Sequence, residues 1–334
     1  MRTNCLILYS GGLDSILACK VIEEQGIRPV AIQFTSPFFG FELKRKGHIE
    51  KVRQKYGIEL YLVDLSDEYL RMVVNPPHGY GRYLNPCIDC KILMVKKALS
   101  LMKEFEASFI ATGEVLGQRP MSQRKDTLWI IERDSGAQGK LLRPLSARFL
   151  PETPMEKEGL VNRDLLPAIS GRSRKLQMTL AKRFKITDYP APAGGCVLAD
   201  PILSRRFKRI FETWPDFSKT DCISAQTGRH FLIEETGWVM VGRNQAENMK
   251  LERLALPGDL LVRPKEVPGP ICIVRYSCSD KAVEIAGRIC ARYSKKLQDK
   301  GQFKVLVQRI DGGPKRIINI GEPATDSELD EWRF

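Results

Sequence analysis

Apolar positions along the chain change their period several times, and each change marks an element. Cys5-Leu6-Ile7-Leu8-Tyr9 is a continuous apolar run of strand length, the pattern of a strand covered on both faces. Ser10-Gly11-Gly12 breaks it. Leu13, Ile16, Leu17, Ala18, Val21 and Ile22 then recur at helical spacing, and Gly26 supplies a C-terminal stop. Pro29 to Phe34 reads as the next strand, 43–56 as a basic helix, and Leu60 to Leu65 as a third strand. A helix over 85–105 leads into a strand over 107–112. Strands alternating with helices predict an α/β fold, with a parallel sheet and helices on both faces.

Beyond Arg143 the pattern turns more helical and more cationic, and Tyr189-Pro190-Ala191-Pro192-Ala193-Gly194-Gly195-Cys196 is too rich in Pro and Gly for a regular element. Composition shifts again near Trp214 to Thr220. Short strands are expected over 229–234, 238–242, 271–276, 305–308 and 316–320, interrupted by one helix over 281–298. That is an α+β pattern. The expected domains are 1–215, then 220–320, then a loosely held acidic tail over 321–334. No internal repeat or low-complexity tract is found.

Charge sharpens this division. Of the formal net charge of +13, residues 1–219 carry +11 and residues 220–334 only +2. An even solubility coat would not gather in one part, so a polyanionic partner of the first region is expected. No run of eighteen apolar residues exists, which excludes a helical membrane span. The first residues carry no secretory cleavage pattern. Nine cysteines, an odd number, then fit a reducing, cytoplasmic setting, and metal or redox work is the stronger reading than disulfide staples. With only three histidines, a metal site would have to lean on sulfur.

Ser10-Gly11-Gly12-Leu13-Asp14-Ser15 lies between a buried strand and a helix. Two glycines let backbone approach a ligand, and the helix N-terminus offers N–H groups and a positive dipole end, as a pyrophosphate cradle requires. Neither the Walker A spacing nor GxGxxG is present. The string resembles the PP-loop of the adenine-nucleotide α-hydrolases, which cleave ATP between the α- and β-phosphates and adenylate an oxygen of their substrate. The resemblance implies that fold for the first domain. It further implies ATP on Ser10, Gly11, Gly12, Asp14 and Ser15, with Mg²⁺ bridging the phosphates and Asp14 assisting.

Asn85-Pro86-Cys87-Ile88-Asp89-Cys90-Lys91 reads as a helix start, with Asn85 as N-cap and Pro86 in the first position. Cys87 and Cys90 then share one face of the first turn, where the dipole favours thiolates. Alone, this pair could be half a zinc site, a redox pair or packing. Cys196, after two glycines, adds a third sulfur. Three thiolates with an open position suit a 4Fe–4S cluster. A CxxC with a distant cysteine beside a PP-loop is similar to the cluster-dependent tRNA 2-thiouridine synthetases; the rival is a clusterless persulfide mechanism. Cys5, Cys19, Cys222, Cys272, Cys278 and Cys290 are taken as structural.

Thr112-Gly113-Glu114-Val115-Leu116-Gly117-Gln118, followed by Ser122-Gln123, resembles a string of the 4-thiouridine synthetases, as does Leu142-Arg143-Pro144-Leu145. It implies that Gly113, Glu114 and Gln118 line the nucleotide or uridine pocket. That family's N-terminal RNA-capturing region has no counterpart here. Gly242-Arg243-Asn244 with Glu247-Asn248, and the later Pro257-Gly258-Asp259, look like the NFACT RNA-binding domain. The expected function is therefore an ATP-dependent tRNA sulfurtransferase forming 4-thiouridine, or 2-thiouridine. Cys87, Cys90, Cys196 and Asp14 would be its catalytic residues. Sulfur would come from a cysteine desulfurase or from inorganic sulfide. Cations Arg172, Arg174, Lys175, Lys182, Arg183, Lys185, Arg205, Arg206 and Arg243, with Asn244, are expected on tRNA; for any single one, a solvated helix face is the competing account. A PP-loop ligase without sulfur transfer and a non-catalytic tRNA-binding factor are the alternatives.

Overall fold

The computed structural model describes residues 3–40, 47–191, 196–297 and 301–334. They form two compact units, Met1–Ala199 and Asp200–Phe334.

The first unit follows the alternation of the sequence: β1 Asn4–Leu8, α1 Leu13–Glu24, β2 Arg28–Thr35, α2 His48–Tyr56, β3 Glu59–Asp64, α3 Ser66–Val74, α4 Cys87–Leu101, β4 Ala107–Thr112, α5 Lys125–Ser135, β5 Leu141–Leu142, α6 Pro154–Lys157 and α7 Lys175–Arg183. The five strands pair in parallel in the order β3-β2-β1-β4-β5. The apolar run of β1 explains why this is a two-faced sheet. Cys5 and Ile7 pack with residues of α1, α2 and α7, whereas Leu6 and Leu8 pack with Ile92 and Val95 of α4 and Ile131 of α5. Successive side chains point to opposite faces, so an unbroken apolar strand fills two cores. The predicted helix over 43–56 is seen from His48, and 43–46 lie outside the described residues. Helices α3 and α5, which follow no expected run, complete the face that holds α4.

The second unit comprises α8 Pro201–Thr213, α9 Lys219–Ser224, β6 Arg229–Ile233, β7 Gly237–Val241, α10 Gln245–Leu254, β8 Leu260–Pro264, β9 Cys272–Arg275, α11 Asp280–Arg292, β10 Phe303–Arg309, β11 Arg316–Ile320 and α12 Asp326–Trp332. Its sheet is antiparallel, in the order β11-β10-β8-β9-β7-β6. Strand β8 was not expected: Arg263-Pro264 hides a short apolar run, and the proline is tolerated because it closes the strand. Helix α10 buries only Leu251, so its period is too faint to read.

The acidic tail is not loosely held. Thr325 caps α12 in a capping box with Glu328. Both Glu328 oxygens receive Arg288 of α11 at 2.8 Å, and Leu329 is buried in the unit's core. The acids there answer cations of the same unit. Five of the six cysteines taken as structural are buried, and Cys278 is exposed.

Candidate nucleotide and sulfur site

The chain leaves β1 through Tyr9, whose N–H still bonds Ile32 O at 2.8 Å, and turns at Gly11 with φ +81°. That sign of φ explains one glycine of the pair. Helix α1 then starts from Gly12 with no side-chain cap, so its N-terminal amides are left for a ligand, and Asp14 sits in its first turn. Ser15 Oγ donates to Gly12 O at 2.8 Å and fixes the loop.

Gly113, at the end of β4, closes over this helix start. A β-carbon there would fall 2.6 Å from Asp14 C and Ser15 N. Those atoms are backbone and cannot yield, so only glycine fits. The neighbouring side chains form a polar chain: Gln118 Nε2 donates to Asp14 Oδ2 at 2.7 Å, and Gln177 Nε2 of α7 donates to Gln118 Oε1 at 2.8 Å. Gln177 is fully buried. Asp14 Oδ1, Glu114 Oε1, Gln123 Oε1 and Gln177 Oε1 are buried without a hydrogen bond. Buried polar atoms are normally satisfied, so the open oxygens of Asp14 and Gln177, joined through Gln118, call for a ligand with donors or a cation. The residues fit a Mg²⁺-nucleotide on that ground.

Helix α4 starts one residue later than expected: Pro86 precedes its first residue, Cys87, and Cys90 N bonds Pro86 O at 2.8 Å. Asn85 is therefore not the cap. Its Oδ1 instead accepts from Cys87 Sγ at 3.2 Å. Cys196 lies in a turn closed by Ala199 N to Cys196 O at 2.8 Å, and Leu84 N donates to Leu198 O at 3.2 Å, tying that turn to the segment before α4. Tyr69 of α3 hydrogen-bonds Cys90, and burial, together with the nearby Cys90, Cys196 and Cys87, holds its pKa well above the ordinary value. Burial pushes Cys90 up to about 12 and Cys196 up to about 11. Cys87 is also raised by burial, with Asn85, Lys91 and Arg119 opposing the rise.

Among the described residues no group of three or more His, Cys, Asp or Glu is spaced to hold one metal ion. A 4Fe–4S cluster sets a different test, because each thiolate takes its own iron and the donors stand farther apart. Three half-buried thiols, with no fourth protein ligand among the described residues and a strong desolvation cost as free thiolates, are a donor set that fits such a cluster.

One loop connects the two parts. Glu114 accepts from Thr112 Oγ1 at 3.1 Å and from the buried Arg143 at 3.2 Å, and Lys91, next to Cys90, stands 3.8 Å from its other oxygen. Arg143 also pairs with Glu132 at 2.8 Å. Residues 112–119 thus touch both the helix start at Asp14 and the helix start at Cys87.

Sequence reading missed several of these groups. His78 receives no motif, yet its Nδ1 lies 2.8 Å from Asp89 Oδ1 and its Nε2 3.0 Å from Asp134 Oδ2. Asp89, inside the CxxC turn, also accepts His78 N at 3.0 Å. This clamp joins the start of α4 to α5, and both carboxylates raise the His78 pKa.

The residues expected on tRNA divide. Arg172, Lys175, Lys182, Lys185 and Arg205 are exposed. Arg183 pairs with Glu24. Arg174 is half-buried and its Nε has no hydrogen-bond partner. Arg206 donates to Ala225 O at 2.9 Å, and burial lowers its pKa to about 10. Arg243 pairs with Glu247, and Asn244 Oδ1 accepts Glu247 N at 3.0 Å as the cap of α10. Asn248 Oδ1 accepts Ile271 N at 3.3 Å and would meet a β-carbon at Gly242 at 2.1 Å. The Gly-Arg-Asn…Glu-Asn string thus shapes the turn between β7 and α10, with the Arg243 side chain still exposed.

A parallel sheet carrying an uncapped glycine turn defines an α/β domain of the PP-loop type. Residues 1–149 match the family described as thiamine biosynthesis protein (ThiI), and residues 228–333 match the NFACT protein RNA binding domain. The chain joins a ThiI-type PP-loop domain to an NFACT-type domain. The tRNA-specific 2-thiouridylase MnmA of Dehalococcoides mccartyi is 33% identical over 118 residues, 32% of this chain and 33% of that protein. The enzyme of the same name from Deinococcus radiodurans is 28% identical over 204 residues, 51% of each. A crystal structure of a 4-thiouridine synthetase–RNA complex with bound ATP is 22% identical and covers 55% of this chain and 52% of that one, with a TM-score of 0.35. The chain spans between about a third and a half of the curated relatives it matches. No helix among the described residues is long and apolar enough to cross a membrane.

Proposed function

We propose that the protein is an ATP-dependent tRNA sulfurtransferase. The observation that carries this reading is the loop 112–119, which touches the glycine turn through Gly113 and Gln118 and the cysteine helix through Glu114 and Lys91. An activation site and a sulfur site that share one loop can act on one bound base.

Ser10 to Ser15 would cradle the pyrophosphate of ATP, and Asp14 would hold Mg²⁺. The uridine carbonyl oxygen attacks the α-phosphorus and pyrophosphate leaves, so AMP is joined to the base through that oxygen. Hydrosulfide then adds to the same carbon, AMP departs with the oxygen, and loss of one proton leaves the thiocarbonyl. Cys87, Cys90 and Cys196 would hold a 4Fe–4S cluster, which when bound supplies an iron with an open position for sulfide. Sulfide itself comes from outside the chain, inorganic or released by a cysteine desulfurase. Gln118 orients the Asp14 carboxylate, and Glu114 with Lys91 keeps the two helix starts in register. The product is 4-thiouridine on the resemblance of residues 112–123, with 2-thiouridine the alternative. The exposed cations Arg172, Lys175, Lys182, Lys185 and Arg205 would hold tRNA phosphates, making affinity fall with salt. The NFACT-type domain is read as a second tRNA contact.

The test is anaerobic incubation of the full chain with unmodified tRNA, ATP and sulfide. AMP, pyrophosphate and thiouridine should form in equal amounts. ATP cleavage without sulfur in the tRNA would favour a ligase on another acceptor.

A further inference from the structure

Six described residues other than glycine have positive φ: Tyr83, Glu106, Lys185, Glu234, Glu235 and Tyr276. L side chains rarely adopt this region, and bulky ones least of all. Two of the six are aromatic. Tyr276 is stacked on Trp214 at 5.1 Å between centroids, and its hydroxyl bonds Asp221, so its fold-internal role is plain. Tyr83, with φ 57°, is 47% exposed and has no such partner. Among the described residues its one ring contact is the guanidinium of the adjacent Arg82, 5.3 Å from the centroid. Packing among the described residues does not account for a strained backbone that presents a large ring to solvent.

Its place in the fold is specific. Gly81 N bonds Asn85 O at 2.8 Å and Asn85 N bonds Arg82 O at 3.3 Å, so Tyr83 stands at the apex of a closed turn. On one side Leu84 ties that turn to Leu198, two residues beyond Cys196. On the other, Asn85 receives the Cys87 thiol. The turn also presses on residues 118–123: a β-carbon at Gly81 would lie 2.3 Å from the end of Met121, and Arg119 is close enough to Cys87 to affect its charge. The ring is thus held at the junction of the cysteine segments, beside Arg82. Tyr80 beside it is anchored, its hydroxyl donating to Val73 O at 2.7 Å.

Aromatic rings interleaved with arginines are how proteins grip unpaired bases, since every base has a face to stack and a phosphate to neutralise. Chemistry on a base also requires that base to leave its own stack. We propose that Tyr83, supported by Arg82, is a stacking platform for a nucleobase of the RNA substrate, holding an unstacked nucleotide at the mouth of the three-cysteine site. This rests on the reading of the protein as a tRNA sulfurtransferase.

Tyr83→Gly tests it well, because glycine relieves the backbone and removes only the ring. The full chain is assayed for thiouridine formation at limiting unmodified tRNA, for the KM of ATP, and for melting temperature; Tyr83→Phe is measured alongside. The proposal expects kcat/KM for tRNA to fall about tenfold or more in Tyr83→Gly. The ATP KM and the melting temperature should hold, and Tyr83→Phe should stay near wild type. Unchanged kcat/KM for tRNA in Tyr83→Gly overturns the proposal and leaves the sulfurtransferase reading intact. A matching rise in the ATP KM also overturns it, since the ring would then serve adenine. A wild-type chain that forms no thiouridine removes the broader reading, and this one with it.

Discussion

Two strings stood out equally in the sequence, Ser10 to Ser15 with its partner 112–118 in the first unit, and Gly242 to Asn248 in the second. The structure treats them in opposite ways. Around the first, four buried acceptors have no hydrogen bond. Around the second, Asn244 caps a helix, Arg243 is paired and Asn248 holds the backbone of Ile271. Buried acceptors left open can take a ligand, whereas these paired groups shape the local fold. A motif's resemblance alone does not tell these apart.

The largest effect should follow from breaking the first string. Asp14→Ala should slow ATP-dependent adenylation about 100- to 1000-fold, read as tRNA-dependent AMP release, with the melting temperature unchanged. A substantial drop in melting temperature would mean that Asp14 is structural too. Cys196→Ser separates the two halves of the site. Thiouridine should disappear while tRNA-dependent pyrophosphate release persists, and loss of both would show that activation and sulfur delivery do not separate.

In the second unit the large effect should be on stability. Arg275 is buried and paired with Asp221 and Asp259, each at 2.7 Å. Arg275→Met leaves two carboxylates without their cation and should cost ~3–5 kcal/mol in denaturant unfolding. ATP affinity should not change. Asn244→Ala is the smaller, sharper case: a lost cap costs ~1 kcal/mol, and tRNA affinity should fall no further than that instability explains. Weakened binding in a fully folded Asn244→Ala protein would return the string to the role of RNA reader.

The smallest effect concerns pH. His230 is buried, and burial, with Arg206 and Arg243 nearby, holds its pKa well below the ordinary 6.5. Below that value the unfolded chain binds a proton that the folded unit refuses, so stability falls as pH drops beneath about 6.5 and is flat in this group above it. His230→Gln should flatten that part of the denaturation profile.

Much of this was legible in the sequence. A two-faced strand needs an unbroken apolar run, a phosphate turn needs glycine, and CxxC at a helix start is local, so β1, the turn at Gly11 and Cys87 with Cys90 could all be read. What escaped is made by distant pairs. Gln177 meets Gln118 across 59 residues, and His78 meets Asp134 across 56. Neither has a spacing that a one-dimensional pattern could carry. The pairing of Arg206 with Ala225 and of Arg243 with Glu247 could not be read, because charge is visible in a sequence and its partner is not.

Whether one site activates a tRNA uridine with ATP and delivers sulfur to it can be read by mass spectrometry of tRNA nucleosides from cells lacking the protein, complemented with wild type, Asp14→Ala or Cys196→Ser. One thiouridine should vanish in the deletion, return with wild type and return with neither variant. An unaltered set of thiolated nucleosides in the deletion, or full restoration by Cys196→Ser, would contradict such a site.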